Sequence, residues 1–73
     1  MLSFQTMNAG ESVVVYCDSN GLDYLIDALI NLKNSSDTGH VHMTAPSAGG
    51  NVLDDQNPWG EKAISEVIFS VAR

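Results

Sequence analysis

The chain is short and acidic: its 73 residues include nine acidic and three basic side chains, giving a net charge of -6 at pH 7. This length allows one domain with a small core, and an apolar content of 44% is too high for a disordered chain. The negative charge disfavours nucleic acid as a partner. No apolar run reaches the roughly 18 residues of a membrane span, and the lone Cys17 cannot form an internal disulfide, so we expect a cytoplasmic protein without membrane contact.

The first part of the chain predicts a β-hairpin. Residues 2–7 alternate in polarity as a half-buried strand does, and residues 8–11 contain Asn and Gly, which favour turns. Residues 12–18 are rich in β-branched and aromatic side chains, which is typical of a strand. Because both sides of this second strand are apolar, we expect it in the interior of a sheet.

Residues 20–34 predict a single amphipathic helix. We expect Asn20 or Ser19 to cap it, with Asp23 close to a capping-box position. Apolar residues recur at spacings of three and four and should cover one side of a sheet. These residues are Leu22, Leu25, Ile26, Leu29, Ile30 and Leu32.

The second half predicts two strands separated by a long loop. In residues 40–45, apolar side chains alternate with His40, His42 and Thr44, so the polar side should face solvent or a partner. Residues 46–62 are a loop rich in Gly, Pro and acids; loops of this length tend to be functional or disordered. Residues 63–72 form the last predicted strand.

Together these elements predict a two-layer α+β fold in which one helix packs on a small mixed sheet, in the order β-β-α-β-β. A helix of about 21 Å returns the chain to the start of the preceding strand, so the third strand should run parallel to the second through a right-handed crossover. The far side of the sheet then stays uncovered and is a candidate contact surface. The side chains expected there are those of Ser3, Gln5, Val14, Tyr16, His40, His42, Thr44, Glu66 and Ile68.

The sequence contains no pattern that indicates a reaction. His40 and His42 project to the same side and could bind a metal with Glu66 or a loop acid, but a closed zinc site needs four ligands, so we favour a contact role. No serine lies in a Gly-x-Ser-x-Gly elbow, and no glycine run matches a phosphate-binding loop. We therefore predict a protein that is not an enzyme and that uses neither metal nor cofactor.

The long loop adds three candidates for partner binding. Asp54 and Asp55 form an acidic pair without the register of a calcium-binding loop. Trp59, between Pro58 and Gly60, either packs back onto the core or anchors a partner. We expect Trp59→Ala to lower stability more than partner affinity.

Several of these features together resemble the immunity protein 32 family of bacterial polymorphic toxin systems. The similar features are the strand at residues 13–18, Gly21-Leu22 followed by Leu25 and Leu29, the run Gly39-His40-Val41-His42-Met43, and an apolar final strand. They cover residues 13–45 and 64–71, whereas residues 46–62 depart from the family pattern. The resemblance implies a non-enzymatic protein that binds and neutralises a cognate toxin in the bacterial cytoplasm.

Two other interpretations remain open. A self-associating structural or regulatory domain could cover the uncovered sheet side by forming a homodimer about a twofold axis. Alternatively, the two histidines could belong to a metal or small-ligand site on the same surface. An acidic immunity protein would favour a basic toxin, because complementary charge speeds encounter.

Overall fold

A computed structural model describes residues 1–35, 39–55, 58 and 62–72. The two-layer α+β architecture with one α-helix is confirmed in this part of the chain. A short 3₁₀ helix, Pro46–Ala48, follows the third strand. The other elements, in chain order, are β1 (Leu2–Met7), β2 (Ser12–Cys17), α1 (Ser19–Asn34), β3 (His40–Thr44), β4 (Lys62–Ala63) and β5 (Glu66–Ser70).

The strands form two antiparallel sheets, one with the order β2-β1-β4 and one that pairs β3 with β5. The predicted single mixed sheet, with β3 parallel to β2, is therefore wrong. The final predicted strand divides after Ala63, so that β4 joins β1 and β5 joins β3. Two hydrogen bonds hold the segment between β4 and β5. The Ile64 N–H donates to the Phe4 carbonyl (2.8 Å), and the Ala45 N–H donates to the Ser65 carbonyl (2.8 Å). The chain thus crosses from one sheet to the other, and β3 pairs with β5 instead of returning to β2.

The predicted hairpin of β1 and β2 is confirmed, with Leu2 opposite Cys17 and Met7 opposite Ser12. Its turn uses the left-handed backbone region at three successive residues, Asn8 (φ 55°), Ala9 (φ 56°) and Gly10 (φ 86°). The expectation that β2 lies inside the sheet is wrong. Because β4 pairs on the other edge of β1, β1 is the central strand and β2 is an edge.

One core lies between the apolar sides of the two sheets. The aromatic rings of Phe4 and Phe69 connect the sheets, with centroids 6.1 Å apart in an edge-to-face arrangement. Cys17, Leu25 and other half-buried side chains pack around this centre. The buried residues at the centre are Leu2, Phe4, Met43, Ala45 and Leu53.

Helix α1 begins one residue earlier than predicted, and its cap is Asp18 instead of Ser19 or Asn20. The Asp18 carboxylate accepts hydrogen bonds from the Gly21 N–H (2.8 Å) and from the Met1 amino group (2.6 Å). The amino group and then the Gly21 N–H hold the pKa of Asp18 below its usual value, because both favour the ionised carboxylate. A side chain at Gly21 would collide with the Met1 carbonyl oxygen, so this close approach requires glycine.

The apolar stripe of α1 is covered only in part. Leu32 is buried, and Leu25 and Ala28 pack against the core. Four other apolar residues remain 38–50% exposed, namely Leu22, Ile26, Leu29 and Ile30. The prediction that the whole stripe covers a sheet is therefore wrong: only the side of the helix that carries Leu25, Ala28 and Leu32 is covered.

The first part of the predicted loop 46–62 is ordered against the core. After the 3₁₀ helix, Gly49 adopts a left-handed conformation (φ 84°), and the Gly50 N–H donates to the Ala45 carbonyl (2.9 Å). The N–H groups of Val52 and Leu53 then donate to the Thr44 carbonyl, at 3.1 and 2.9 Å. These bonds place the Leu53 side chain in the core, where only 3% of it is exposed.

Candidate functional site

The outer side of the β3–β5 sheet is the part of the predicted contact surface that the structure brings together. The register places His42 opposite Ile68 and Thr44 opposite Glu66. These residues, together with His40, point away from the core, whereas the alternate β3 residues Val41 and Met43 pack into it. We call this surface the His face and define it as His40, His42, Thr44, Glu66 and Ile68.

The side chains of the His face contact one another while remaining accessible. The Nδ1 atom of His42 lies 3.3 Å from a carboxylate oxygen of Glu66, and the two side chains are 49% and 46% exposed. The rings of His40 and His42 meet edge to face, with centroids 5.0 Å apart. Ile68 is 52% exposed beside them. The face therefore combines an apolar side chain, two imidazoles and one carboxylate on a rigid two-stranded support.

The uncovered surface does not extend across both sheets as predicted. Ser3 and Gln5 are fully buried, and the Gln5 amide donates to the Ser3 hydroxyl at 2.8 Å. Val14 is half-buried, and Tyr16 is 37% exposed but belongs to the other sheet, opposite Ser3. The prediction is wrong for Ser3 and Gln5 because β1 is covered on both of its sides, with Leu2 and Phe4 buried on one and Ser3 and Gln5 on the other.

Of the two loop acids, Asp55 lies near the Glu66 end of the His face, whereas Asp54 contacts β1. The Ser47 hydroxyl donates to the Asp55 carboxylate (3.1 Å) and also lies 2.9 Å from the hydroxyl of Ser65, the residue before Glu66. Asp54 is half-buried, and its N–H donates to the Leu2 carbonyl (2.7 Å). Trp59, the third loop candidate, lies outside the described residues.

A cleft of about 410 Å³ between α1 and β3 adjoins the His face, and sequence reasoning missed it. His40 belongs both to the cleft and to the His face. The available signal was the spacing of Tyr24, Asp27 and Asn31, which lie three and four residues apart on one side of the helix. The cleft is lined by the apolar residues Ala28, Leu32 and Val41 and by the polar residues Tyr24, Asp27, Asn31, Ser35 and His40.

Within residues 1–35, 39–55, 58 and 62–72, no three His, Cys, Asp or Glu side chains are grouped so that they could hold a metal ion. None of the helices in the same part of the chain has the length and apolar character needed to cross a membrane.

In comparisons with known proteins, no family model, no curated protein and no solved structure matches this chain. The site is therefore interpreted from its own residues.

Proposed function

We propose that this chain is a non-enzymatic binding protein whose His face contacts a basic protein partner. The observation that carries the proposal is the exposed outer side of the β3–β5 sheet, where Ile68 is 52% exposed among His42, Glu66 and their neighbours. Protein interfaces commonly have an apolar centre surrounded by polar groups that make directional contacts. The opposite side of the same strands packs in the core, which holds the His face in one shape before any partner binds.

The charge and the adjoining cleft favour a cationic partner. The chain has a net charge of -6, and the Asp27 carboxylate lines the cleft that His40 shares with the His face. A lysine or arginine side chain could place its charged end against Asp27 and its aliphatic stem against Leu32 and Val41. Long-range attraction between an acidic and a basic surface would also raise the association rate.

The biological role that fits these properties best is that of an immunity protein, which neutralises a bacterial toxin by covering its active surface. The resemblance of residues 13–45 and 64–71 to the immunity protein 32 family supports this role. The acidic charge fits a basic toxin, such as a nuclease. Occlusion requires only a complementary surface, so no catalytic group is needed.

The direct test uses the toxin domain encoded next to this chain, with binding measured by surface plasmon resonance at several salt concentrations. Ile68→Asp should raise Kd by about tenfold or more, because it places a charge at the centre of the interface. Asp27→Asn should weaken binding, whereas Glu11→Gln, which removes an equal charge from the exposed hairpin turn, should leave Kd within about twofold.

Two results would contradict the proposal. One is the absence of binding to the neighbouring toxin domain. The other is binding that Ile68→Asp leaves unchanged, since the partner would then contact a different surface. An association rate that does not fall as salt rises would contradict the electrostatic part of the argument.

A further inference from the structure

The exposed side of α1 forms a second apolar surface, separate from the His face. We call it the helix flank and define it as Leu22, Ile26, Leu29 and Ile30, which repeat at helical spacing and are 38–50% exposed. The adjacent side of the helix packs on the core through Leu25 and Leu32. The flank is thus the part of the apolar stripe that the chain itself does not cover.

The size of the helix flank suits a small interface between two proteins. Its four side chains expose apolar area on the order of 350 Å², comparable with the largest patch on a typical monomer. A standard stable interface buries about 800 Å² per partner, so the flank would form the centre of a smaller one. We therefore expect association with a Kd in the micromolar range.

The charges at the ends of the helix flank match a second copy of the same helix. Lys33 follows Leu22 by eleven residues. At 100° per residue the rotation about the helix axis is three full turns and about 20°, so Lys33 lies on the helix flank, at its C-terminal end. Asp23 lies at the N-terminal edge of the flank, about 100° from Leu22. When two flanks pack antiparallel and are centred between Ile26 and Leu29, Lys33 of each copy comes opposite Leu22 and Asp23 of the other.

We propose that the helix flank is a homodimer interface in which two α1 helices pack antiparallel about a twofold axis, with Lys33 paired to Asp23 of the second copy. Twofold symmetry forms each contact twice, and the antiparallel arrangement also aligns opposite ends of the helix dipoles. This dimer differs from one formed through the uncovered sheet side. It leaves the His face free, because α1 and the His face lie on opposite sides of β3, and it does not depend on the proposed function.

The first test measures the oligomeric state of the full chain by sedimentation velocity from about 1 to about 100 µM. The wild type should shift from monomer to dimer over this range. Ile26→Asp should remain monomeric, whereas the control Ile68→Asp, at a similarly exposed residue of the His face, should dimerise like the wild type. Circular dichroism verifies that both variants are folded. A wild type that stays monomeric throughout, or a dimer that Ile26→Asp leaves intact, would overturn the proposal.

The second test examines the antiparallel arrangement by exchanging charges. Lys33→Glu and Asp23→Lys should each raise the dimer Kd by a few fold, because each change places like charges opposite one another. The double variant restores opposite charges and should return Kd to within about twofold of the wild type. A double variant that dimerises no better than the single variants would overturn the proposed pairing.

Discussion

Strands β1 and β3 of this small domain differ in how they use their two sides. Strand β1 is buried on both, with Phe4 in the core and Gln5 fully buried on the other side. Strand β3 is buried on one side, where Met43 is fully buried, and open on the other, where His42 is about half exposed. The difference separates stability from recognition: substitutions in β1 should lower stability, whereas substitutions on the His face should change binding while the fold remains intact.

The largest expected effect comes from truncating the core on the β1 side. Phe4→Ala should lower the free energy of unfolding by about 3–5 kcal/mol, because it removes a buried ring and its contact with Phe69. A domain of this size has only a few kcal/mol of stability, so the variant should be largely unfolded. Urea denaturation followed by circular dichroism measures the change.

The matched comparison on the open side of β3 is His42→Ala, which should change the free energy of unfolding by less than about 1 kcal/mol, since its polar contact with Glu66 is exposed. If Phe4→Ala and His42→Ala lowered the free energy of unfolding by similar amounts, the proposed difference in role between β1 and β3 would be contradicted.

A second large effect is expected where the chain turns back after β3. A Cβ atom at Gly50 would collide with the side chain and carbonyl oxygen of Thr44, so Gly50→Ala should cost about 1–3 kcal/mol. Gly39→Ala is the control, because a Cβ there meets only the Val71 carbonyl at an ordinary 3.7 Å. Equal melting temperatures for the two variants would contradict the tight packing of the turn.

The buried polar pair on β1 provides an effect of similar size. Gln5→Ala should lower stability by about 1–3 kcal/mol, because it removes the hydrogen bond to the buried Ser3 hydroxyl. Asn51→Ala, at an exposed amide, should change stability by less than about 0.5 kcal/mol. Chemical denaturation of both variants measures the difference. A neutral Gln5→Ala would show that the outer side of β1 is as open as the His face.

The smallest expected effect is the pH dependence at the start of α1. The pKa of Asp18 is lowered in the folded chain, so its contribution is fully present above the unfolded carboxyl pKa of about 3.9 and is lost as pH falls below that value. Asp18→Asn keeps a good helix cap but removes the charge that pairs with the Met1 amino group. The melting temperature of the variant should be lower than that of the wild type at pH 7. The difference between the two melting temperatures should become smaller below pH 4. A difference independent of pH would contradict the ion pair.

The sequence predicted those elements whose patterns are local. The alternation of residues 2–7 and the β-branched and aromatic content of residues 12–18, with turn residues between them, identified the β1–β2 hairpin, and the spacing of Leu25 and Leu32 identified the helix. The pairing of β3 was not predictable, because it depends on β5, which is distant in the chain, and on the division of the last strand after Ala63. The burial of Gln5 was also missed, because alternation in residues 2–7 shows which side chains share a side but not whether that side is covered.

The candidate site was predictable in part. Alternation placed His40 and His42 on one outward side of β3 and placed Glu66 and Ile68 on the same uncovered surface. The structure adds the direct pairing of β3 with β5, which sets His42 opposite Ile68. The cleft at Asp27 and the helix flank were not predicted. Helical periodicity shows which residues share a side, but the extent to which that side is covered depends on how widely the neighbouring sheets extend.

The most direct test of the His face is an NMR titration of the isotopically labelled chain with the protein encoded by the neighbouring reading frame, which the proposed function expects to be a toxin. The account predicts that shift changes concentrate on His40, His42, Thr44, Glu66 and Ile68 and extend into the cleft at Asp27. Changes confined to the hairpin turn or to the helix flank, with the His face signals unmoved, would contradict it.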